Sequence, residues 1–135
     1  MASRKKEDLH IYLRNAYDFA CKTYHQMYPD DPQPFITCTY RSNEEQEQLF
    51  KLIPPVTWAH GSQSPHNYLP TFAFDIAFIT IANKLAWDYK YFKKFADIIL
   101  PAFIELEWGG NFVKKRKDNP HFQLRNWKKL IPKQL

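Results

Sequence analysis

The chain has 135 residues and a formal net charge of +5, with 44% apolar and 17% aromatic residues. This length suits one compact domain, and the apolar content excludes a disordered tail. No apolar run reaches the 18 residues that predict a membrane span, and no apolar segment follows the charged N-terminus to make a signal peptide. The positive charge favours an anionic partner, which could be nucleic acid, anionic lipid or an acidic wall polymer.

Two cysteines and two basic clusters add little chemistry by themselves. Cys21 and Cys38 lie far apart and lack Cys-x-x-Cys spacing, so two reduced thiols are expected. The basic clusters are KKRK, residues 114–117, and RNWKKLIPK near the C-terminus. A charge run is more often a solvated face than a specific site, and both clusters are interpreted in that way.

The first part of the chain predicts a helix, a strand and a second helix. Apolar residues recur at helical spacing over about Lys5–Met27, and the segment YPDDPQP ends that helix. The segment FITCTYRS is rich in β-branched and aromatic residues and predicts a strand over about Phe35–Tyr40. Ser42 and Glu45 form a capping-box pattern, which predicts a short helix to about Leu52.

A long irregular segment and an alternating strand follow. The segment PPVTWAHGSQSPHNYLP contains His60 and His66, and loops of this length are usually functional or disordered. The strand Phe72–Ile79 places its large side chains on one face and Asp75 on the other, between Ala73 and Ala77. The alanines leave space above the carboxylate. A buried carboxylate needs a partner, which is either a base or a metal ion.

The last third of the chain predicts a long helix and two short strands. The helix spans roughly Trp87–Leu106, and Pro101 should kink it or restart it. The segment ELEWGGNF predicts a strand or turn, and HFQL predicts a short strand with His121 and Gln123 on one face. Helices and strands in irregular order, without a βαβ rhythm, predict a small α+β domain whose central antiparallel sheet is packed by helices.

Two histidine segments carry the candidate chemistry. They supply His66, Asp75 and His121, with Asp118 three residues before the last histidine. Two imidazoles and one carboxylate are a common ligand set for catalytic zinc. Spacing alone leaves the alternative open, because these residues lie in distant segments and a lone histidine is more often structural. His10 and His25 are interpreted as structural groups.

Four ordered motifs add a resemblance to a known family. They are TYRSNEEQEQLF, SPHNYLPTFAFDI, EWGG and DNPHFQL. Together they resemble the zinc-dependent D-alanyl-D-alanine carboxypeptidase and L-alanyl-D-glutamate endopeptidase family, in particular its phage endolysins that consist of one bare catalytic domain. The resemblance implies a hedgehog/DD-peptidase-like fold. It also implies a single catalytic domain over residues 1–135, with a motif-bearing core of about 35–124 and no separate cell-wall-binding domain.

The resemblance also implies a role for each motif residue. One Zn²⁺ per chain would be bound by His66, Asp75 and His121. Asp118 would be the catalytic base, and Arg41 would hold the substrate and stabilise the oxyanion, a task that suits a guanidinium.

Other motif positions would support the site. These are Ser64, Gln46 and Trp108. His60, in the segment WAHGS outside the four motifs, is a further candidate for a substrate-binding or supporting group. Trp108, with Gly109 and Gly110, is expected either to wall the cleft or to pack in the core before a tight turn.

Three departures from the family pattern are visible. The gap between His66 and Asp75 is longer than in many relatives, although similar gaps occur among the endolysins. Thr39 stands where glycine is common, and Asp118 stands where many relatives have glutamate. The shorter Asp118 side chain requires a closer loop.

The expected function is hydrolysis of the peptidoglycan stem peptide, at the L-Ala–D-Glu bond. The alternatives are a D-Ala–D-Ala carboxypeptidase and a non-catalytic module that binds the cell wall. The expected partner is bacterial peptidoglycan rather than nucleic acid, and the protein is expected to be a monomer. It would be made in the host cytoplasm and would reach the wall through a holin pore.

Overall fold

The computed structural model of the protein describes residues 2–51 and 64–131. The helices are α1 (Ile11–Met27), α2 (Asn43–Phe50) and α3 (Tyr89–Ala102). The strands are β1 (Gln33–Cys38), β2 (Ala73–Ile79), β3 (Leu85–Ala86), β4 (Leu106–Trp108) and β5 (His121–Leu124). Short 3-10 helices span Lys6–Asp8, Pro65–Asn67, Gly109–Asn111, Lys114–Arg116 and Trp127–Leu130.

The five strands form one antiparallel sheet. Its order is β1-β2-β5-β4, and β3 pairs with the far end of β2. The α+β prediction with a central antiparallel sheet is therefore confirmed. In the described part of the chain, no helix is both long and apolar enough to cross a membrane.

The aromatic core lies on one face of the sheet, beneath α1 and α3. Phe74 of β2 packs edge-on against Tyr17 of α1, and Phe78 packs edge-on against Phe92 of α3. Phe122 of β5 stacks on Phe74. The predicted alternation of β2 is confirmed, because its large side chains are fully buried in this core. The opposite face is thereby left to Asp75 and the alanines.

The first predicted helix begins too early. Lys6–Asp8 forms a 3-10 turn, and α1 starts only at Ile11. The interruption arises because Leu9 pairs with Thr71 in a short parallel bridge, which takes the backbone out of helical geometry. His10 then caps α1, its Nδ1 accepting from Tyr12 N at 3.2 Å. His10 is thus structural, as expected.

The other boundaries differ by a few residues. Strand β1 starts two residues before the predicted strand, and the two-residue β3 was not predicted. Helix α3 does not restart after Pro101. The helix contains this proline in its last turn and ends at Ala102, four residues before the predicted end. The capping box of Ser42 and Glu45 is present, and both cysteines are free thiols, as predicted.

Candidate metal centre and active site

His66 is carried by a capped turn before β2. Ser64 Oγ accepts from the His66 backbone N–H at 3.2 Å, and Asn67 Oδ1 accepts from Ser64 N at 3.1 Å. The Asn67 side chain also donates to the carbonyl of Arg41 at 2.8 Å. These contacts tie the histidine turn to the end of β1. Ser64 thus supports the backbone that presents His66.

Asp75 and His121 face each other across neighbouring strands. They are register partners in the β2–β5 pair, and Cys38 of β1 is the partner of Asp75 on its other side. Cys38 reaches this face because the register shifts between Ile36 and Cys38. An extra residue in one strand re-aims the side chains that follow it. The sheet therefore aligns a thiol, a carboxylate and an imidazole in one row.

Three donor atoms, each able to donate a lone pair to a metal ion, converge at the centre of this row. His121 Nδ1 lies 2.9 Å from Asp75 Oδ1, and His66 Nε2 lies 3.3 Å from the same oxygen. The two imidazole nitrogens are 3.3 Å apart. His66 and His121 are buried, with 2% and 8% of their surface exposed. Residues from three separate segments thus form a compact donor triangle: His66 Nε2, Asp75 Oδ1 and His121 Nδ1.

The outer contacts of both imidazoles fix which nitrogen faces the triangle. His66 Nδ1 lies 2.7 Å from the carbonyl oxygen of Thr39, which can only accept, so Nδ1 carries the proton. Gln123 Nε2 donates to Glu107, which turns the amide oxygen towards His121 Nε2 at 2.7 Å. His121 therefore donates through Nε2. Both remaining nitrogens present lone pairs to the triangle.

Two lone pairs and a carboxylate at this distance require a cation between them. Burial by itself lowers the pKa of His66, but the charge and hydrogen bond of Asp75 outweigh it and raise that pKa to about 10. Burial would raise the pKa of Asp75, yet His66 and His121 hold it well below its usual range. A proton is thus one cation that satisfies the triangle. The same three atoms could hold a metal ion, which binds neutral imidazoles and ionised carboxylates.

Arg41 is held beside the triangle by fixed contacts. Its Nη1 donates to Gln46 Oε1 at 2.9 Å, and its Nη2 lies 3.9 Å from Asp75 Oδ2. Nη2 also points at Cys38 Sγ at 3.5 Å. Gln46 is fully buried, so it anchors the guanidinium rather than reaching the cleft. The structure therefore places a positive charge next to the donor triangle.

Asp118 reaches the triangle from the loop before β5. One of its oxygens lies within 4.8 Å of donor atoms on both Asp75 and His121. Desolvation in the cleft and then the negative charge of Asp75 raise the pKa of Asp118, against the lowering effect of His121, His66 and Arg41. The loop approaches so closely because Gly109 has no Cβ. An added Cβ there would lie 2.2 Å from the Asp118 carbonyl oxygen.

These residues line one open cleft of about 620 Å³. Its lining includes Ser64, Arg41 and Asp118 together with the donor triangle. Trp108 is not part of that lining. It is 2% exposed, stacks on Phe122 and donates its indole N–H to the carbonyl of Asn119 at 2.7 Å. Of its two interpretations, burial favours core packing. His60 lies outside the described residues.

Sequence reasoning missed four contributors to the site. Cys38 was interpreted as a core thiol, and the carbonyl of Thr39 has no sequence signal. Gln123 is predicted on the His121 face without a role, and Glu107 is predicted only as part of the segment ELEWGGNF. The period-2 pattern places Gln123 on the face of His121, but the hydrogen bonds of all four depend on the strand register.

Comparisons with known proteins bear on the fold. No protein-family model matches the sequence, and no curated protein matches it. Among solved structures, the crystal structure of Serratia marcescens L-Ala D-Glu endopeptidase ChiX is similar, with a TM-score of 0.69 and 23% sequence identity. The alignment covers 96% of this chain and 92% of that chain. The two proteins share a fold. The small α+β fold with a central antiparallel sheet that the sequence predicts agrees with this likeness.

Proposed function

We propose that the protein is a zinc-dependent peptidase of bacterial peptidoglycan. The observation that carries the proposal is the donor triangle, whose atoms are 2.9–3.3 Å apart. Tetrahedral zinc with bonds of about 2.0–2.1 Å places neighbouring ligand atoms about 3.3 Å apart. His66 Nε2, Asp75 Oδ1 and His121 Nδ1 would hold such an ion, and all three residues line the cleft.

The polar residues around the triangle suit amide hydrolysis. When bound, zinc supplies Lewis acidity, which polarises a carbonyl group and lowers the pKa of water. Asp118 would accept a proton from the attacking water and return it to the leaving amine. The Arg41 guanidinium, fixed by Gln46, stabilises negative charge that develops on the carbonyl oxygen. Each role needs only a residue that the cleft already presents.

The proposed scissile bond is L-Ala–D-Glu of the stem peptide. Two findings support it: the four sequence motifs, and the fold shared with an enzyme described as an L-Ala D-Glu endopeptidase. The alternative hypothesis is that the same chemistry cleaves the D-Ala–D-Ala bond. Mass spectrometry of muropeptides released from purified peptidoglycan separates the two, because each bond yields a different pair of fragments.

A metal and activity assay tests the proposal. The purified protein is expected to contain one zinc per chain and to solubilise peptidoglycan, and a chelator should abolish the activity until zinc is restored. His66→Ala should lose both zinc and activity. His25→Ala, which changes an exposed histidine outside the cleft lining, should keep both. Binding to peptidoglycan without release of fragments would instead support the non-catalytic wall-binding module.

The biological setting that we propose is lysis of a bacterial host by a phage. In this setting a single-domain monomer is made in the host cytoplasm and reaches the wall through a holin pore, with peptidoglycan rather than nucleic acid as its partner. Expression in a bacterium with and without a holin tests the route. Lysis should require the holin, and lysis by the protein alone would contradict it.

A further inference from the structure

The cleft beside the donor triangle has an excess of positive charge. Arg116, Lys117 and Lys128 line it, in addition to Arg41. None of these three has an ion-pair partner among the described residues. All three are exposed, so their charges face the solvent that a substrate would displace.

The carboxylates of the cleft do not balance these cations. Within the described lining, the carboxylates are Asp75 and Asp118. Asp75 is already engaged by the two imidazoles and lies 3.9 Å from Arg41. Asp118 faces the triangle rather than the outer cations. A cleft with uncompensated cations attracts and orients an anionic ligand.

The basic run of residues 114–117 divides into two pairs. Arg116 and Lys117 line the cleft, whereas Lys114 and Lys115 do not. All four are exposed and carry the same charge. A general attraction to an anionic surface would use both pairs equally. A contact with a bound substrate would use only the cleft pair.

We propose that Arg116 and Lys117 bind a free carboxylate on the substrate residue that supplies the leaving amine. This inference rests on the proposed function. Asp118 must lie near the leaving nitrogen to return its proton, and Lys117 is its neighbour in the chain. In an L-Ala–D-Glu bond linked onward through the side chain of glutamate, the α-carboxylate is one carbon away from that nitrogen. The substrate class is therefore a peptide with an anionic residue directly after the scissile bond.

Two synthetic peptides that differ at one group test the inference. One contains L-Ala–D-Glu with a free α-carboxylate, and the other contains the α-amide in its place. The wild-type protein should cleave the acid with a KM about 2- to 30-fold lower, the range expected for two exposed ion pairs. Arg116→Gln with Lys117→Gln should remove this preference by raising the KM of the acid to that of the amide. The preference should also weaken at high salt.

The matched control is Lys114→Gln with Lys115→Gln, which removes the same charge outside the cleft. It should keep the full preference for the acid. A preference that survives in the Arg116/Lys117 variant, or that falls equally in both variants, would overturn the carboxylate contact while the peptidase proposal stands. If the zinc-loaded wild-type protein cleaves neither these peptides nor peptidoglycan, the peptidase proposal itself fails.

Discussion

Replacement of Gln123 by leucine tests whether the sheet positions a metal ligand. Gln123 Oε1 accepts from His121 Nε2 at 2.7 Å, and the opposite end of the amide is held by Glu107. Leucine has a similar volume but no acceptor. The variant therefore leaves the Nε2–H of a histidine that is only 8% exposed without its partner, and the imidazole is free to turn or change tautomer.

The expected loss can be estimated in two ways. A buried donor left without a partner costs about 1–3 kcal/mol. Removal of a group that orients a metal-bound histidine typically weakens metal affinity by about 10- to 100-fold, or roughly 1.4–2.7 kcal/mol. Because the ranges overlap, we expect zinc affinity in Gln123→Leu to fall by about 10- to 100-fold. Competition with a chromophoric chelator at fixed pH measures this change.

The same substitution at Gln46 is the control. Gln46 is also buried, but it holds Arg41 rather than a donor atom of the triangle. Gln46→Leu should lower kcat and leave zinc affinity within about twofold. The substitution removes the acceptor that holds Arg41, which stabilises charge on the carbonyl oxygen, and leaves the three zinc ligands in place. Equal losses of zinc affinity in both variants would refute the role assigned to Gln123 and point to general loosening of the site.

Three further predictions concern the base, the glycine and the protons. Asp118→Asn should keep zinc and lower kcat by about 10²- to 10⁴-fold, measured by metal analysis and fragment release. Gly109→Ala should cost about 100-fold in kcat with the circular dichroism spectrum retained, because its Cβ displaces the Asp118 backbone. Because the pKa of His66 is raised to about 10, zinc must displace a proton below that pH. Affinity should therefore rise about tenfold per pH unit, with about one proton released in calorimetry. Fragment release by Asp118→Asn equal to that of the wild type would contradict the first prediction, and unaltered activity of Gly109→Ala would contradict the second. A zinc affinity that does not change with pH would contradict the third.

The sequence was sufficient for features that are encoded by neighbouring residues, such as strand alternation and helix capping. The alternation of the predicted strand Phe72–Ile79 placed four large residues in the core and Asp75 opposite them, and burial agrees. The capping box of Ser42 likewise fixed the start of α2, because its hydrogen bonds are local. In both cases, the information lies within a few consecutive residues.

The remaining features depend on contacts between distant segments. The start of α1 is delayed by the bridge between Leu9 and Thr71, which no helical pattern reveals. Cys38 reaches the site only because β1 contains an irregularity in its pairing with β2. Simple alternation from buried Ile36 would instead direct Cys38 into the core. Such displacements belong to the pairing of two strands and cannot be read from either strand alone.

The aromatic core and the donor triangle are specified by the same register. Phe122 packs on Phe74 and edge-on against Phe95, while its neighbour His121 is paired with Asp75. A slip of one residue would move Phe122 to the cleft face and His121 into the core. That slip would forfeit about 1.5–3 kcal/mol of burial for Phe122 alone. It would also bury an imidazole away from Gln123, its hydrogen-bond partner. Hydrophobic packing therefore fixes the histidine opposite the aspartate before any metal ion binds.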